Sequence, residues 1–270
     1  MSWLAIAKKD FKDSIRSRTL WVIIAVFFVA IGGLTYLTVD NGGNEDALEL
    51  VAGFTFLLGL FLFIPIAGLL ISVKSIVGER EQGTINLLLS LPHSRFDMLV
   101  GKFLGRTGVL SAAILVGFIP AVLILLVEVD DAGLGDILPI LLVCILIGTM
   151  FVGIGVGFSA LVDSETQATV GGVAIFFLLY LWPFIIDEVF DLFGSSLPTF
   201  GERFWLVILF EDMLQALAPD GEGMTAASAV VFTETDPALY MQNWFAFVIL
   251  AGWVLVPLVI GYLRFNRSDL

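Results

Sequence analysis

The sequence has 270 residues, is 59% hydrophobic and carries a formal net charge of −13. A soluble domain is about 45–50% apolar, and the excess here lies in long uncharged runs, which excludes an ordinary soluble protein. One cysteine and one histidine exclude a disulfide framework and a zinc site with the usual number of ligands, so we expect no bound metal.

Residues 1–19 form a separate segment with the pattern of an amphipathic helix. Trp3, Ala7, Phe11 and Ile15 recur every four residues, and lysines and arginines occupy much of the remaining surface. An apolar stripe with a basic opposite face allows a helix to lie in the membrane interface. We predict such an interfacial helix here. The alternative is an ordinary basic flank whose spacing is accidental.

Residues 20–263 contain six runs without Asp, Glu, Lys, Arg or His. A spanning helix needs about 20 apolar residues, whereas barrel strands alternate in polarity over about 10 residues, which none of these runs does. The first run is too long for a signal-peptide core and lacks a small-residue cleavage site, so we interpret it as a retained anchor. The sequence therefore predicts an all-α membrane protein with six transmembrane helices, namely Leu20–Val39, Val51–Val73, Thr107–Val127, Ile137–Val162, Ala168–Ile186 and Trp244–Leu263.

The loop of residues 74–106, between the second and third runs, has the pattern of a short helix. Gly83 and Thr84 offer a break followed by a helix start, and Pro92 ends the helix, because the residue before a proline is pushed out of the helical region. The apolar face of this predicted helix is formed by Ile85, Leu88 and Leu89.

A second helix is predicted later in the same loop. Ser94 and Asp97 have the spacing of a capping box that would open a helix running into the third span. Before the first helix, Glu79, Arg80 and Glu81 form a charged triplet that would fix its orientation. Two short helices with a tight joint suit docking onto a cytoplasmic protein; the alternative is a structural cap on the helix bundle.

The longest loop, residues 187–243, precedes the last span. It contains the apolar run Phe204–Phe210, but seven helical residues rise only about 10 Å and cannot cross a bilayer. We predict a re-entrant or interfacial helix for this run.

Basic residues indicate the side of the membrane on which each loop lies. With the N-terminus in the cytoplasm, twelve of the 13 basic residues lie on the cytoplasmic side and 18 of the 26 acidic residues lie outside. Cytoplasmic loops of membrane proteins carry the excess of Lys and Arg. We therefore predict that both termini are cytoplasmic, with residues 264–270 as a short tail and the acidic turn Asp163–Gln167 also inside.

The large negative net charge of the sequence has two interpretations. One is an outer surface that attracts cations. The other is an acidic bias of the whole proteome, as in salt-loving organisms, where a large net charge keeps proteins soluble. The acids are scattered through the loops, which favours the second interpretation.

Two sequence motifs that are typical of enzymes, the phosphate loop and GxSxG, are missing from the sequence. A phosphate loop needs Gly-Lys-Ser/Thr at a helix start, but Gly101-Lys102 is followed by Phe103, and no GxSxG motif accompanies the single histidine. We predict that the chain is not an enzyme and holds no cofactor. The spans also lack the ionisable groups that self-energised carriers use at membrane depth.

Glycines and prolines inside the spans are typical of a helix bundle that changes conformation when an external source of energy drives it. Glycines 153, 155 and 157 allow close contact between helices. Kinks are expected at the prolines within spans, which are Pro65, Pro120, Pro183 and Pro257.

Two segments resemble the ABC-2 type transporter permeases. The first resembles the family's first cytoplasmic loop and comprises Ile76–Glu81, Gly83–Ile85, Leu87–Leu89, Pro92, Arg95 and Gly101-Lys102. The second, Ala7–Phe11 with Ile15–Arg18, is similar to the family's interfacial N-terminal helix. The resemblance covers the six-span layout and is nearest to the branch with the permease of the nitrous-oxide-reductase maturation transporter.

This resemblance implies a plasma-membrane permease subunit, expected to be an exporter, that forms a homodimer or heterodimer and works with a separate cytoplasmic ATPase. It implies that Gly78–Leu91 is the coupling helix, and that the loop before the last span caps the transport pathway. We expect a lipid bilayer and no nucleic acid among its partners. The alternatives are a self-sufficient secondary transporter or channel, and a membrane assembly factor that transports nothing.

Overall fold

The computed structural model describes residues 3–42, 59, 61–83, 94–129, 133–192, 206–217 and 239–267. The described residues are almost entirely helical, and they contain no β-strand. The α-helices are α1 Trp3–Ile15, α2 Arg18–Gly42, α3 Ile64–Ser72, α4 Val77–Glu81, α5 Arg95–Gly117, α6 Ile119–Glu128, α7 Leu134–Leu161, α8 Glu165–Leu192, α9 Leu206–Leu217 and α10 Phe245–Arg267.

Six helical segments of the described chain are long and apolar enough to cross a membrane. Each overlaps one of the six predicted runs, so the prediction of an all-α, six-span protein is confirmed. The domain boundaries and the side of each terminus stay predictions. The segments are Arg18–Val39, Phe61–Glu81, Arg95–Glu128, Leu134–Leu161, Glu165–Trp182 and Phe245–Arg267.

Two of these spans are interrupted. In the third span, α5 ends at a turn on Phe118, and α6 begins with Pro120 in its first turn. Proline lacks the amide hydrogen that a continuous helix would need, which explains the break and confirms the irregularity predicted at Pro120. In the second span, α3 and α4 are separated by a turn over residues 73–76. Pro257, in contrast, lies within the continuous α10.

Helix α7 is the centre of the bundle and packs against α3, α5 and α10. Its glycines bring the helices together, as predicted. A Cβ atom placed at Gly153 would lie 3.2 Å from the Cα atom of Val254, and one at Gly157 would collide with the backbone carbonyl of Pro257. Small residues let helix backbones approach closely in a membrane, where lipid tails remove the hydrophobic drive for association.

Helix α9 is the described part of the long loop before the last span. Its 12 residues rise about 18 Å, too little to cross a bilayer, which agrees with the prediction of a helix that does not span. Leu209 and Met213 are buried, and the helix packs on α7 and α10. Burial, with a smaller contribution from the neighbouring Asp212, raises the pKa of Glu211.

Candidate functional site

Helix α1 packs along the first part of α5, where three glycines at helical spacing form a groove: Gly101, Gly105 and Gly108. A Cβ atom at Gly101 would lie 2.7 Å from the Cβ atom of Ile6, and one at Gly105 would lie 3.0 Å from the carbonyl oxygen of Ala7. Any larger side chain would therefore push α1 away. The glycines fix the N-terminal helix directly against the start of the third span.

The face that α1 presents to α5 differs from the predicted apolar stripe. Ala7 is buried, but Trp3 and Ile15 stay 40% and 39% exposed, and the other buried positions are polar, Asp10 and Ser14. A helix turns 100° per residue, so a four-residue spacing drifts 40° at each step. The stripe therefore winds off the face that packs on α5 at both ends, which leaves Trp3 and Ile15 exposed, and the predicted interfacial position of α1 stays a prediction.

Asp10 is the centre of a group of four charges, two of them buried and two partly buried, which we call the charge cluster: Asp10, Lys102, Glu79 and Arg106. The ammonium nitrogen of Lys102 lies 2.9 Å from Asp10 Oδ1 and 2.5 Å from Glu79 Oε1. Arg106 contacts the same aspartate, with Nε 2.8 Å from Oδ2 and Nη2 donating to Oδ1 over 3.1 Å. The cluster therefore joins α1, α4 and α5 through charged contacts.

The charge cluster contains two carboxylates and two cations, so its formal charges cancel. Asp10 is only 5% exposed and Lys102 is buried beside it. Removing charges from water costs several kcal/mol per ion, and close pairing offsets much of that cost. The set is therefore stable as a whole, while loss of any one member leaves its charges unbalanced.

The other two members of the charged triplet bind different elements. Arg80 Nη1 lies 2.7 Å from Asp163 Oδ1 and donates to the carbonyl oxygen of Val162 over 2.9 Å. Its guanidinium group also lies over the ring of Phe265, 5.6 Å from the centroid. The backbone N–H of Glu165 donates to Glu81 Oε1 over 2.9 Å. Together, the triplet ties α4 to α5, to the turn between α7 and α8, and to the end of α10.

The start of α4 is held by a hydroxyl from α7. The fully buried Ser159 accepts hydrogen bonds from the backbone N–H groups of Ile76, over 3.0 Å, and Val77, over 3.1 Å. The first N–H groups of a helix have no partner within the helix, and Ser159 supplies one from another span. At the other end of α4, Gly83 has a φ of +69°, a conformation that favours glycine. The predicted break at Gly83 is confirmed.

The comparison with known proteins agrees with this architecture. Residues 4–270 match the family model described as "ABC-2 family transporter protein". This chain belongs to the ABC-2 transporter family. A protein of Stutzerimonas stutzeri named "Probable ABC transporter permease protein NosY" is 30% identical to it over 277 residues, with 97% of each chain covered. A protein of the same name from Pseudomonas aeruginosa is 28% identical, with 98% of each chain covered.

The resemblance drawn from the sequence is thus confirmed. The chain is the transmembrane permease subunit of an ABC transporter and a multi-pass protein of the plasma membrane. Such a subunit is normally not itself catalytic, and membership of the family implies a partner ATPase.

The described residues include both ends of the permease loop that was predicted to receive this ATPase. At its far end, Ser94 Oγ accepts a hydrogen bond from the N–H of Asp97 over 3.0 Å, and the Asp97 carboxylate accepts one from the N–H of Ser94 over 3.2 Å. The predicted capping box is confirmed. Arg95 donates to the carbonyl oxygen of Phe265 and lies over its ring. The remaining predicted coupling residues lie outside the described residues: Thr84, Ile85, Leu88, Leu89 and Pro92.

Sequence reasoning missed most of the charge cluster. Asp10 lies among three lysines of the N-terminal helix, a composition typical of a solvated surface. In the sequence, the Gly101-Lys102 pair fits only an incomplete phosphate loop and a feature of the family. The recurring glycines at 101, 105 and 108 were the available signal, because this spacing places them on one face of α5.

Proposed function

We propose that this permease receives the work of ATP hydrolysis through the loop between α4 and α5, which a separate cytoplasmic ATPase contacts. The observation that supports this is the attachment of the loop at both ends. On one side Glu79 and Arg80 bind Lys102 and Asp163, and on the other Arg95 binds the end of α10. A displacement of the loop would therefore be transmitted to α1, α5, α7 and α10.

The chain's own part in this scheme is mechanical. It has no phosphate loop, because Phe103 follows Gly101-Lys102 where a hydroxyl residue is needed. We therefore assign ATP hydrolysis to the partner subunit, and no enzymatic activity and no cofactor to the permease. We further propose that two permeases, alike or different, form the complete pathway, and that it exports its cargo.

We place the end of the bundle that carries the charge cluster in the cytoplasm. The supporting observation is the distribution of basic residues, of which twelve of the 13 lie at this end when the six spans are threaded in order. Both termini are then cytoplasmic, and α9 lies outside.

Single cysteines will test this orientation. Cys144 is buried and is replaced by alanine, and a cysteine is placed at Gln82 or Gly135, which are both exposed at opposite ends of the bundle. An impermeant thiol reagent added to intact cells should label Gly135→Cys and spare Gln82→Cys, with both labelled after lysis. Labelling of Gln82→Cys in intact cells would overturn the orientation. Ser75 is unsuitable as a reporter because it is buried.

Coupling is tested by substitutions at the near end of the loop. Arg80→Ala removes a side chain that is 13% exposed, together with its hydrogen bond to the carbonyl oxygen of Val162 and its contact with the ring of Phe265. Gly83→Pro imposes a φ near −65° where the chain has +69°. Both variants should insert normally but lose cargo-stimulated ATPase activity in the reconstituted complex, Gly83→Pro more severely.

Arg264→Ala is the matched control for Arg80→Ala. Arg264 also faces Asp163, but over 3.8 Å and with 62% of its side chain exposed, and such solvated pairs contribute about 1 kcal/mol or less. Its coupling should stay normal. Glu81→Ala should also have a small effect, because Glu81 is exposed. Normal coupling and normal co-purification of the ATPase in Arg80→Ala and Gly83→Pro would make the loop a structural cap.

A further inference from the structure

Helix α1 has a second surface, which faces away from α5 and which the charge cluster does not use. Five cations on α1 and at the start of α2 are exposed, and none makes an ion pair within the part of the chain that the structure describes. They are Lys8, Lys9, Lys12, Arg16 and Arg18. This is an unusual concentration of free positive charge in a chain with a net charge of −13.

The surface of α1 is divided into three sectors. At 100° per residue, the buried sector is centred on Ala7, Asp10 and Ser14. The second sector, beside the buried one, consists of the exposed apolar side chains of Leu4 and Ile15. Beyond them lies the arc of Lys8, Lys12, Arg16 and Lys9, with the exposed Asp13 at its far edge.

Asp10, one of the two acids of α1, is turned away from this arc. Asp10 binds Lys102 and Arg106 on the opposite side of α1. The charge cluster therefore both fixes α1 to the bundle and leaves its outer cations without a carboxylate partner.

We propose that this arc, together with Arg18 at the start of α2, binds the headgroups of anionic phospholipids. The inference is independent of the coupling mechanism. Clusters of four to eight Lys or Arg on an amphipathic helix beside a membrane attract anionic lipid, with about 1 kcal/mol per residue near the surface. Basic helices of this kind lie in the interface with their apolar side in the acyl boundary.

Two observations favour a lipid over an acidic protein surface. Leu4 and Ile15 border the cation arc and are exposed, so the occupant must offer apolar and anionic groups in one layer, as a phospholipid does. In addition, α1 leads through Arg16 and Ser17 directly into the first span, whose Trp21 is 60% exposed. Exposed tryptophan at the end of a span is typical of the headgroup level.

The test compares lipid retention by two triple variants that each lose three exposed cations. The purified permease and the variants K8Q/K9Q/K12Q and K74Q/R264Q/R267Q are equilibrated in nanodiscs of phosphatidylcholine with graded phosphatidylglycerol. Native mass spectrometry then counts the phosphatidylglycerol that each protein retains. We expect K8Q/K9Q/K12Q to need about tenfold or more phosphatidylglycerol for the same retention, and the control variant to behave as wild type. The charge-preserving K8R/K9R/K12R should also retain wild-type binding.

Two results would overturn the proposal. One is equal retention of phosphatidylglycerol by K8Q/K9Q/K12Q and the wild type. The other is an equal loss in the control variant, which would show a response to net charge alone. Normal retention with lost co-purification of the ATPase would assign the arc to the protein partner instead. Thermal unfolding midpoints equal to wild type confirm that the exposed substitutions leave the fold intact.

Discussion

Replacing Lys102 with methionine is expected to destabilise the permease by about 3–5 kcal/mol, because it removes one of the two cations that balance the buried Asp10 and the partly buried Glu79. Lys102 is the residue that contacts both Asp10 and Glu79, and it is buried between them. The free energy of unfolding is measured by titrating the purified permease from mild detergent into SDS. Protease cleavage after α1 should accelerate in parallel, since α1 loses a charged contact to α5.

Lys74→Met is the matched control. Lys74 lies 3.0 Å from Glu165, but half of its side chain is exposed, so its loss should cost about 1 kcal/mol or less. Adding Glu79→Gln to Lys102→Met should restore part of the stability, because the second change removes one negative charge and so restores the balance of charge in the cluster. If Lys102→Met and Lys74→Met unfold alike, the charge cluster is not a stabilising contact.

Gly157→Ala should disrupt the contact between α7 and α10. The added methyl group would collide with the backbone of Pro257 and Leu258, and a backbone cannot turn aside as a flexible side chain can. Overpacking typically costs about 1–3 kcal/mol and sometimes more, and we expect the upper end of this range by the same SDS titration.

Gly252→Ala provides the opposite case in the contacting helix. A Cβ atom at Gly252 meets nothing within 4 Å, and alanine is favoured over glycine in a helix by about 1 kcal/mol. Gly252→Ala should therefore be neutral or stabilising. A similar, small effect for both substitutions would contradict the close packing of α7 on α10.

The features that sequence reasoning obtained correctly are those fixed by local chemistry. Span lengths follow from the bilayer thickness. The capping box at Ser94 and Asp97 needs only residues three positions apart, and the break at Gly83 needs only a residue that accepts a positive φ. Each of these signals is complete within a few residues, so one sequence is enough to detect it.

The charge cluster was not detectable in this way, because its partners are distant in the chain. Asp10 and Lys102 are 92 residues apart, and Arg80 and Asp163 are 83 apart. The triplet was predicted to fix the orientation of the next helix, but the sequence did not show that each of its members contacts a distant element of the same chain. Periodicity identifies the faces of a helix, but the choice of partner depends on how the spans are arranged.

The separation between Asp10 and Lys102 has a consequence for biogenesis. A ribosome adds about 5–20 residues per second, so the 92 residues between them take roughly 5–20 s to synthesise. During this interval Asp10 lies beside the membrane without its cations, and the glycine groove that receives α1 does not yet exist. The N-terminal helix thus completes its attachment only after the third span has been inserted. A chain whose third span fails to insert therefore keeps its first helix without this attachment.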